Sequence, residues 1–170
     1  MSELEQKYLA LLGEAQRRQL PNIDSIRLSF QVLSLAGEID RDCAAQLAPH
    51  GLSEGRFILL FLLDAAPNGL APNALAMQAG VTRATVTGLL DGLERDALIE
   101  RHAEPTDRRA LSIRLTRQGK QLAKKVFKAH GHWIAGLFGD LTAQEQNTLD
   151  RLLRKVATSL AARRTATGGM

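Results

Sequence analysis

Three features of this 170-residue sequence predict a mainly α-helical fold that carries one small β-hairpin. Apolar residues recur every three or four positions along most of the chain, the period that gathers them on one face of a helix. One short interval, residues 98–115, breaks that period; its second half alternates at Leu111, Ile113 and Leu115, as a half-buried strand does. Aromatic residues are only 4% of the composition against 45% hydrophobic residues overall, so the core draws on Leu, Ala, Val and Ile, which suits packed helices better than stacked sheets.

The elements follow in order. Ser2-x-x-Glu5 has the form of a capping box, and Leu4, Tyr8, Leu11, Leu12 and Ala15 keep helical spacing until Pro21, so residues 1–20 read as an N-terminal extension helix. From an N-cap at Asp24, the residues Leu28, Val32, Leu35, Ile39, Cys43 and Leu47 define a long helix over 24–50, closed by Pro49-His50-Gly51. Ser53 caps a third helix, Glu54 to Ala65, whose run from Phe57 to Leu63 is apolar on nearly all sides and therefore central. After the turn Pro67-Asn68-Gly69 come two short helices, Pro72 to Gln78 and Arg83 to about Arg95, joined tightly at Gly80-Val81 with Thr82 as the second N-cap. On the second, Val86, Leu89, Leu90 and Leu93 form a buried stripe that leaves Arg83, Ala84, Thr85, Thr87, Gly88 and Asp91 outside. Residues 98–103 and 110–115 are strands, joined by the polar segment 104–109 into a hairpin with a basic tip. Helical period returns from Thr116 to near Gly139, then from the capping box Thr142-x-x-Glu145 through Leu149, Leu152, Leu153, Val156 and Leu160, which makes 117–162 a pair of C-terminal helices. The small, polar tail 163–170 is expected to be disordered.

The net charge of +4 is unevenly spread. Residues 1–50 and 51–97 carry −2 each and 131–170 carry +2, whereas 98–130 carry +6 from nine basic and three acidic residues. Such a cluster is a local anion-facing surface. Other classes are disfavoured. The longest apolar run is too short to cross a bilayer and the N-terminus lacks a basic-then-apolar leader, so a cytoplasmic chain with no membrane partner is expected. Cys43 is the single cysteine, and no Cys/His pair has zinc-ligand spacing; His130 and His132, two apart on a helix, point to different faces. Neither a metal nor a cofactor is expected. No nucleophile–base arrangement, phosphate-cradling glycine loop or paired carboxylates emerge, so an enzyme is not expected.

Two short helices joined by a glycine-containing link, with a small polar outer face at the start of the second, form a helix-turn-helix pattern. Taken alone it is matched by an ordinary helix pair with a solvated face. The hairpin that follows tips the balance, because residues 52–116 then read as a winged helix-turn-helix, flanked by N- and C-terminal helices. Its natural partner is double-stranded DNA. Thr82, Arg83, Thr85 and Thr87 supply the short hydroxyls, methyls and one long cation that suit the major groove. Arg108 and Arg109 at the wing tip suit a narrow, negative minor groove, with Asp107 able to pair with one of them and stabilise the wing. Arg117, Lys120, Lys124, Lys125 and Lys128 continue the basic surface. The alternative, a winged helix used only for protein contacts, fits poorly with so charged a face.

The run from Leu75 to Thr87, then Leu93-Glu94, Leu98-Ile99-Glu100-Arg101, Pro105-x-Asp107-Arg108-Arg109 and Leu115-Thr116-x-x-Gly119, resembles the winged helix of the MarR family of bacterial transcriptional regulators, with the likeness strongest from about Leu52 to Leu122. The resemblance implies a homodimer joined through the N- and C-terminal helices. It also implies a pseudo-palindromic operator, bound as a repressor and released by a small, often phenolic ligand. Gly88 stands where many members carry an arginine, Asp96-Ala97 stands where a residue-Gly pair is common, and the helix before Pro21 is an extension many members lack. One branch of the family senses hydroperoxides through a cysteine, which makes redox sensing by Cys43 an alternative; its position on an apolar stripe favours a structural thiol. Arg56, the lone basic residue of its apolar helix, is a candidate for an anionic effector, with a solvated or salt-bridged side chain as the plainer alternative.

Overall fold

A computed structural model describes the backbone of residues 4–104 and 107–167 and the side chains of 4–103 and 111–166. The elements are α1 (Gln6–Arg17), α2 (Ile23–Leu47), a 3₁₀ turn (Ala48–His50), α3 (Glu54–Asp64), α4 (Pro72–Ala79), α5 (Arg83–Arg95), β1 (Ile99–Glu104), β2 (Asp107–Leu115), α6 (Arg117–Gly136) and α7 (Ala143–Thr167). They divide into two compact units, Met1–Phe127 and Lys128–Met170. Among the described residues no helix is long and apolar enough to cross a membrane.

The first unit holds the core. Leu59, Leu60 and Leu63 of α3 meet Leu75 of α4, Val86, Leu90 and Leu93 of α5, Ile99 of β1, Ile113 and Leu115 of β2, and Ala123 and Val126 of α6. Burying a side chain of this size contributes roughly 1.5–3 kcal/mol, so the buried face of α3, Phe57, Leu59, Leu60 and Leu63, is the organising element of the unit; the run is not enclosed all round as its composition suggests, since Phe61 stays exposed and stacks on Phe127 at 4.8 Å. The strands pair antiparallel from Ile99 opposite Leu115 to Glu104 opposite Asp107, with an irregularity at Ala103/Glu104. They reach farther toward the tip than the alternation alone indicates, and Pro105 and Thr106 lie outside the described residues. A third pairing joins the hairpin to the preceding turn: the amides of Leu70 and Ile113 each donate to the other's carbonyl, at 3.0 and 2.8 Å. Gly69 makes this approach possible. Its φ is +86°, and a Cβ there would stand 2.6 Å from the Ile113 carbonyl oxygen.

α1 lies along α2. Leu12 and Ala15 are buried, the rings of Tyr8 and Phe30 stack at 5.0 Å, and the Glu5 amide donates to the buried Ser34 hydroxyl at 3.2 Å. The Glu5 carboxylate pairs with Arg41 at 2.9 Å and Lys7 at 2.7 Å, and these hydrogen bonds hold it below its usual pKa range. Ser2, the expected capping residue, lies outside the described residues, and α1 begins at Gln6. α2 begins one residue before Asp24: Asn22, at φ +59°, supplies the carbonyl that the Ser25 and Ile26 amides reach. Asp24 therefore occupies the first turn, where a carboxylate meets the positive end of the helix.

In the second unit the capping box forms as expected, with the Glu145 carboxylate accepting from the Thr142 amide at 2.8 Å and the Glu145 amide reaching the Thr142 hydroxyl at 3.3 Å. The disordered tail expected from residue 163 is corrected in part: α7 continues through Thr167. Ala161, Ala162, Arg163 and Arg164 favour helix, which carries α7 past the point where the composition turns small and polar.

The end of α5 shows what the missing glycine costs. The Leu98 amide donates to the Leu93 carbonyl and the Ala97 amide to the Glu94 carbonyl, both at 2.9 Å, the paired bonds of a Schellman motif. Its left-handed residue is Ala97, at φ +54°. That conformation costs a Cβ-bearing residue about 1–2 kcal/mol, part of which is offset because alanine also restricts the unfolded chain. Ala97→Gly is expected to raise the unfolding free energy by roughly 0.5–1 kcal/mol in chemical denaturation; an unchanged or lower value would show that this cap carries no strain.

Candidate nucleic-acid interface

Local chemistry builds the helix-turn-helix. Pro72 occupies the first turn of α4, and the helix ends at Gly80, whose φ of +66° turns the chain while the Val81 amide bonds the Ala76 carbonyl at 3.1 Å. Thr82 then caps α5, its hydroxyl accepting from the Thr85 amide at 3.1 Å and lying 2.8 Å from the Thr85 hydroxyl. Val86, Leu90 and Leu93 face inward, so Thr82, Arg83, Ala84, Thr85, Thr87 and Gly88 are exposed along the outer face of the first two turns. The Thr87 hydroxyl donates to the Arg83 carbonyl at 3.0 Å, which leaves its oxygen able to accept. A Cβ at Gly88 would meet nothing within 4 Å. The four threonine and arginine candidates on α5 thus share one solvent-facing surface at the positive end of a helix dipole.

The other half of α5 is held by two arginines that were not singled out from the sequence as partners of this helix. Arg101, on β1, pairs with Asp91 and, at 3.0 Å, with Glu94, so both carboxylates of this half of the helix are drawn to the hairpin. Arg56, on α3, donates from Nη1 to Asp96 at 2.8 Å and to the Gly51 carbonyl at 3.2 Å. The salt-bridged alternative is therefore the one this residue adopts. Asp91 and Glu94, three apart on one helix face and followed by an arginine in the next strand, were the available signal for the first clasp; for Arg56 and Asp96, 40 residues apart, there was none.

The wing root is anchored to α6. The Thr116 hydroxyl accepts from the Gly119 amide at 3.0 Å and donates to the Ala97 carbonyl at 2.8 Å, while the Thr116 amide reaches the Leu98 carbonyl at 3.1 Å. A Cβ at Gly119 would overlap that same carbonyl, standing 2.9 Å from its carbon, which is why Leu115-Thr116-x-x-Gly119 ends in glycine. Arg117, Lys120, Lys124, Lys125 and Lys128 are all exposed. The backbone of Asp107, Arg108 and Arg109 belongs to β2, and their side chains lie outside the described residues.

A winged helix-turn-helix of this form, with a hydroxyl-rich helix presented beside a hairpin, defines a DNA-binding transcriptional regulator. The model of the MarR family matches residues 50–110. The transcriptional repressor YetL of Bacillus subtilis is 35% identical over 78% of this chain and 81% of its own length, and the chain belongs to the MarR family. Among solved structures, the DNA complex of MepR from Staphylococcus aureus superposes with a TM-score of 0.66 at 26% identity, covering 78% of this chain and 97% of that one. CouR from Rhodococcus jostii RHA1 bound to p-coumaroyl-CoA does so at 0.61 and 25% identity, covering 76% and 91%.

Cys43 is half-buried beside the core. Burial pushes its thiol above the ordinary range, and the carboxylates of Glu54, Asp40 and Asp42 push it the same way. A raised value means less thiolate at neutral pH, the reverse of what a sensing thiol needs. Cys43→Ser is expected to bind DNA with near wild-type affinity, and mild peroxide is expected to leave wild-type binding unchanged in a fluorescence anisotropy titration. Loss of wild-type binding on oxidation, with the variant protected, would assign the cysteine a switching role.

Proposed function

We propose that this chain is a sequence-specific repressor that binds a pseudo-palindromic operator as a homodimer and leaves it when a small phenolic or anionic ligand binds. The observation that carries the reading is the exposed face formed by Thr82, Arg83, Thr85 and Thr87 at the N-terminus of α5, beside a hairpin in a segment of net charge +6. The threonines read base edges in the major groove, Arg83 contacts a guanine edge or a phosphate, and Arg108 and Arg109 act in or beside the minor groove with Asp107 steadying the wing. The repressor names of its relatives and the MepR complex with DNA support this reading; the CouR complex with p-coumaroyl-CoA supports release by a ligand.

Dimerisation follows from what the chain leaves uncovered. No described residue of α7 is buried, and Leu152, Leu153, Val156 and Leu160 are 47–58% exposed. Leu28, Val32 and Leu35 on α2 are exposed as well. Large contiguous apolar surface is rare on soluble monomers, and a two-fold related copy apposing the same helices covers stripes of this kind. Sedimentation equilibrium at low micromolar concentration is expected to return twice the 18.5 kDa chain mass; a monomer would refute this part of the reading.

The DNA contacts are tested by measuring affinity for a duplex selected from a random pool and for a scrambled duplex, across a salt series. Arg108→Ala and Arg109→Ala are expected to weaken both duplexes and to reduce the salt slope by about one unit of log affinity per log salt. Thr85→Ala and Thr87→Ala are expected to erode discrimination by about 1–3 kcal/mol at the base pair read, with the slope unchanged. Arginine variants with the wild-type slope and threonine variants with the wild-type specificity ratio would overturn the docking.

A further inference from the structure

The guanidinium of Arg56 occupies a slot that the sequence leaves open. Gly92 is buried on α5, and a Cβ there would overlap Arg56 Nη2 and stand 2.8 Å from Cζ and 3.0 Å from Nε. Through this slot the side chain, 22% exposed, reaches Asp96 at the end of α5, while the same Nη1 donates to the carbonyl of Gly51, the left-handed residue that closes the 3₁₀ turn after α2. The backbone amide of Arg56 is bonded to the N-cap hydroxyl of Ser53, so the guanidinium extends from the fixed first turn of α3. One side chain therefore joins three elements: the end of α2, the start of α3 and the end of α5.

The geometry points to Arg56 as a positioning residue for DNA recognition, one that sets the attitude of α5 toward the duplex without touching it. The clasp grips the C-terminal end of a helix whose proposed reading surface is at the other end, about 18 Å away at 1.5 Å per residue. Recognition groups must be held to within about 0.5 Å and 10–20°, so a small change of tilt at Asp96 becomes a misplacement of Thr85 and Thr87. A single ion pair at a half-exposed site adds little to global stability. Its orientation is another matter, because Nη1 serves two acceptors while the rest of the planar guanidinium lies flat against Gly92, a placement that the compact ammonium of a lysine, one bond shorter, does not reproduce. The neighbouring Ala97 adds a reason for the clasp, since a helix end closed without glycine has a weaker cap of its own.

The inference rests on the DNA-binding reading, and the test separates the two. Affinity for the selected duplex and for a random duplex is measured for the wild type, Arg56→Lys, Arg56→Gln, Gly92→Ala and the Arg56→Gln/Gly92→Ala double variant, over a salt series, with thermal unfolding of each. Gly92→Ala is the informative change, because alanine is the better helix former yet its methyl group evicts the guanidinium. Each single variant is expected to lose about tenfold in affinity for the selected duplex, to keep its affinity for random DNA and to keep the wild-type salt slope. The double variant is expected to match the single variants, since both remove the same clasp. Wild-type affinity in Gly92→Ala and Arg56→Gln, additive losses in the double variant, or a salt slope lowered by about one unit in Arg56→Gln would each overturn the assignment, the last by making Arg56 a direct phosphate contact. Loss of folding in Gly92→Ala is read against Arg56→Lys, which keeps the charge and the glycine; full affinity for the selected duplex in Arg56→Lys would equally overturn it. A wild type that selects no duplex at all refutes the DNA-binding reading itself.

Discussion

The presentation of α5 depends on the burial of one narrow stripe. Val86, Leu90 and Leu93 are almost fully enclosed by the leucines of α3 and the inward residues of the hairpin. Because these three positions recur at helical spacing, enclosing them orients the whole helix and turns the residues between them toward solvent. A core poor in aromatic rings does this well: branched aliphatic side chains of similar size pack from several directions without polar atoms to satisfy. The wing obeys the same constraint. Ile99, Ile113 and Leu115 are buried on its inner face, and Leu70 and Thr116 tie its root to the turn before α4 and to the start of α6.

Most of what was legible in the sequence rests on local rules, although the N-cap expected at Asp24 falls on Asn22. The caps at Ser53, Thr82 and Thr142 all form, because each needs only a hydroxyl and an amide three residues on. The outward set on α5 follows from the period alone, and the left-handed residue after Asp96 falls where the helix must end. What was not legible depends on separation or on single residues. A one-residue bridge at Leu70 has no alternation to betray it, and the Arg56 clasp joins residues 40 apart whose proximity exists only after folding. The extension of α7 is masked by the small, polar composition of 163–170, which suggests a loose tail, whereas alanine and arginine propensity favours continuation.

The electrostatics separate into two roles. Exposed cations on α6 are in no ion pair among the described residues and act as a field, which screening by salt weakens over a Debye length of about 8 Å. The arginines that face α5 are engaged with carboxylates and act as joints. The same residue type thus serves attraction in one place and rigidity in another, and the difference is decided by whether an acid stands within reach.

Gly88 carries a consequence for how such a protein changes over generations. It sits on the outer face of α5 with open space where a side chain would begin, in a helix where any ordinary residue is more favourable than glycine by up to about 1 kcal/mol. Substitution there therefore adds a chemical group to the surface while leaving the core and both clasps untouched. A lineage could acquire a new DNA preference at this position in a single step without first accumulating spare stability, so that recognition is free to drift while the architecture stays put.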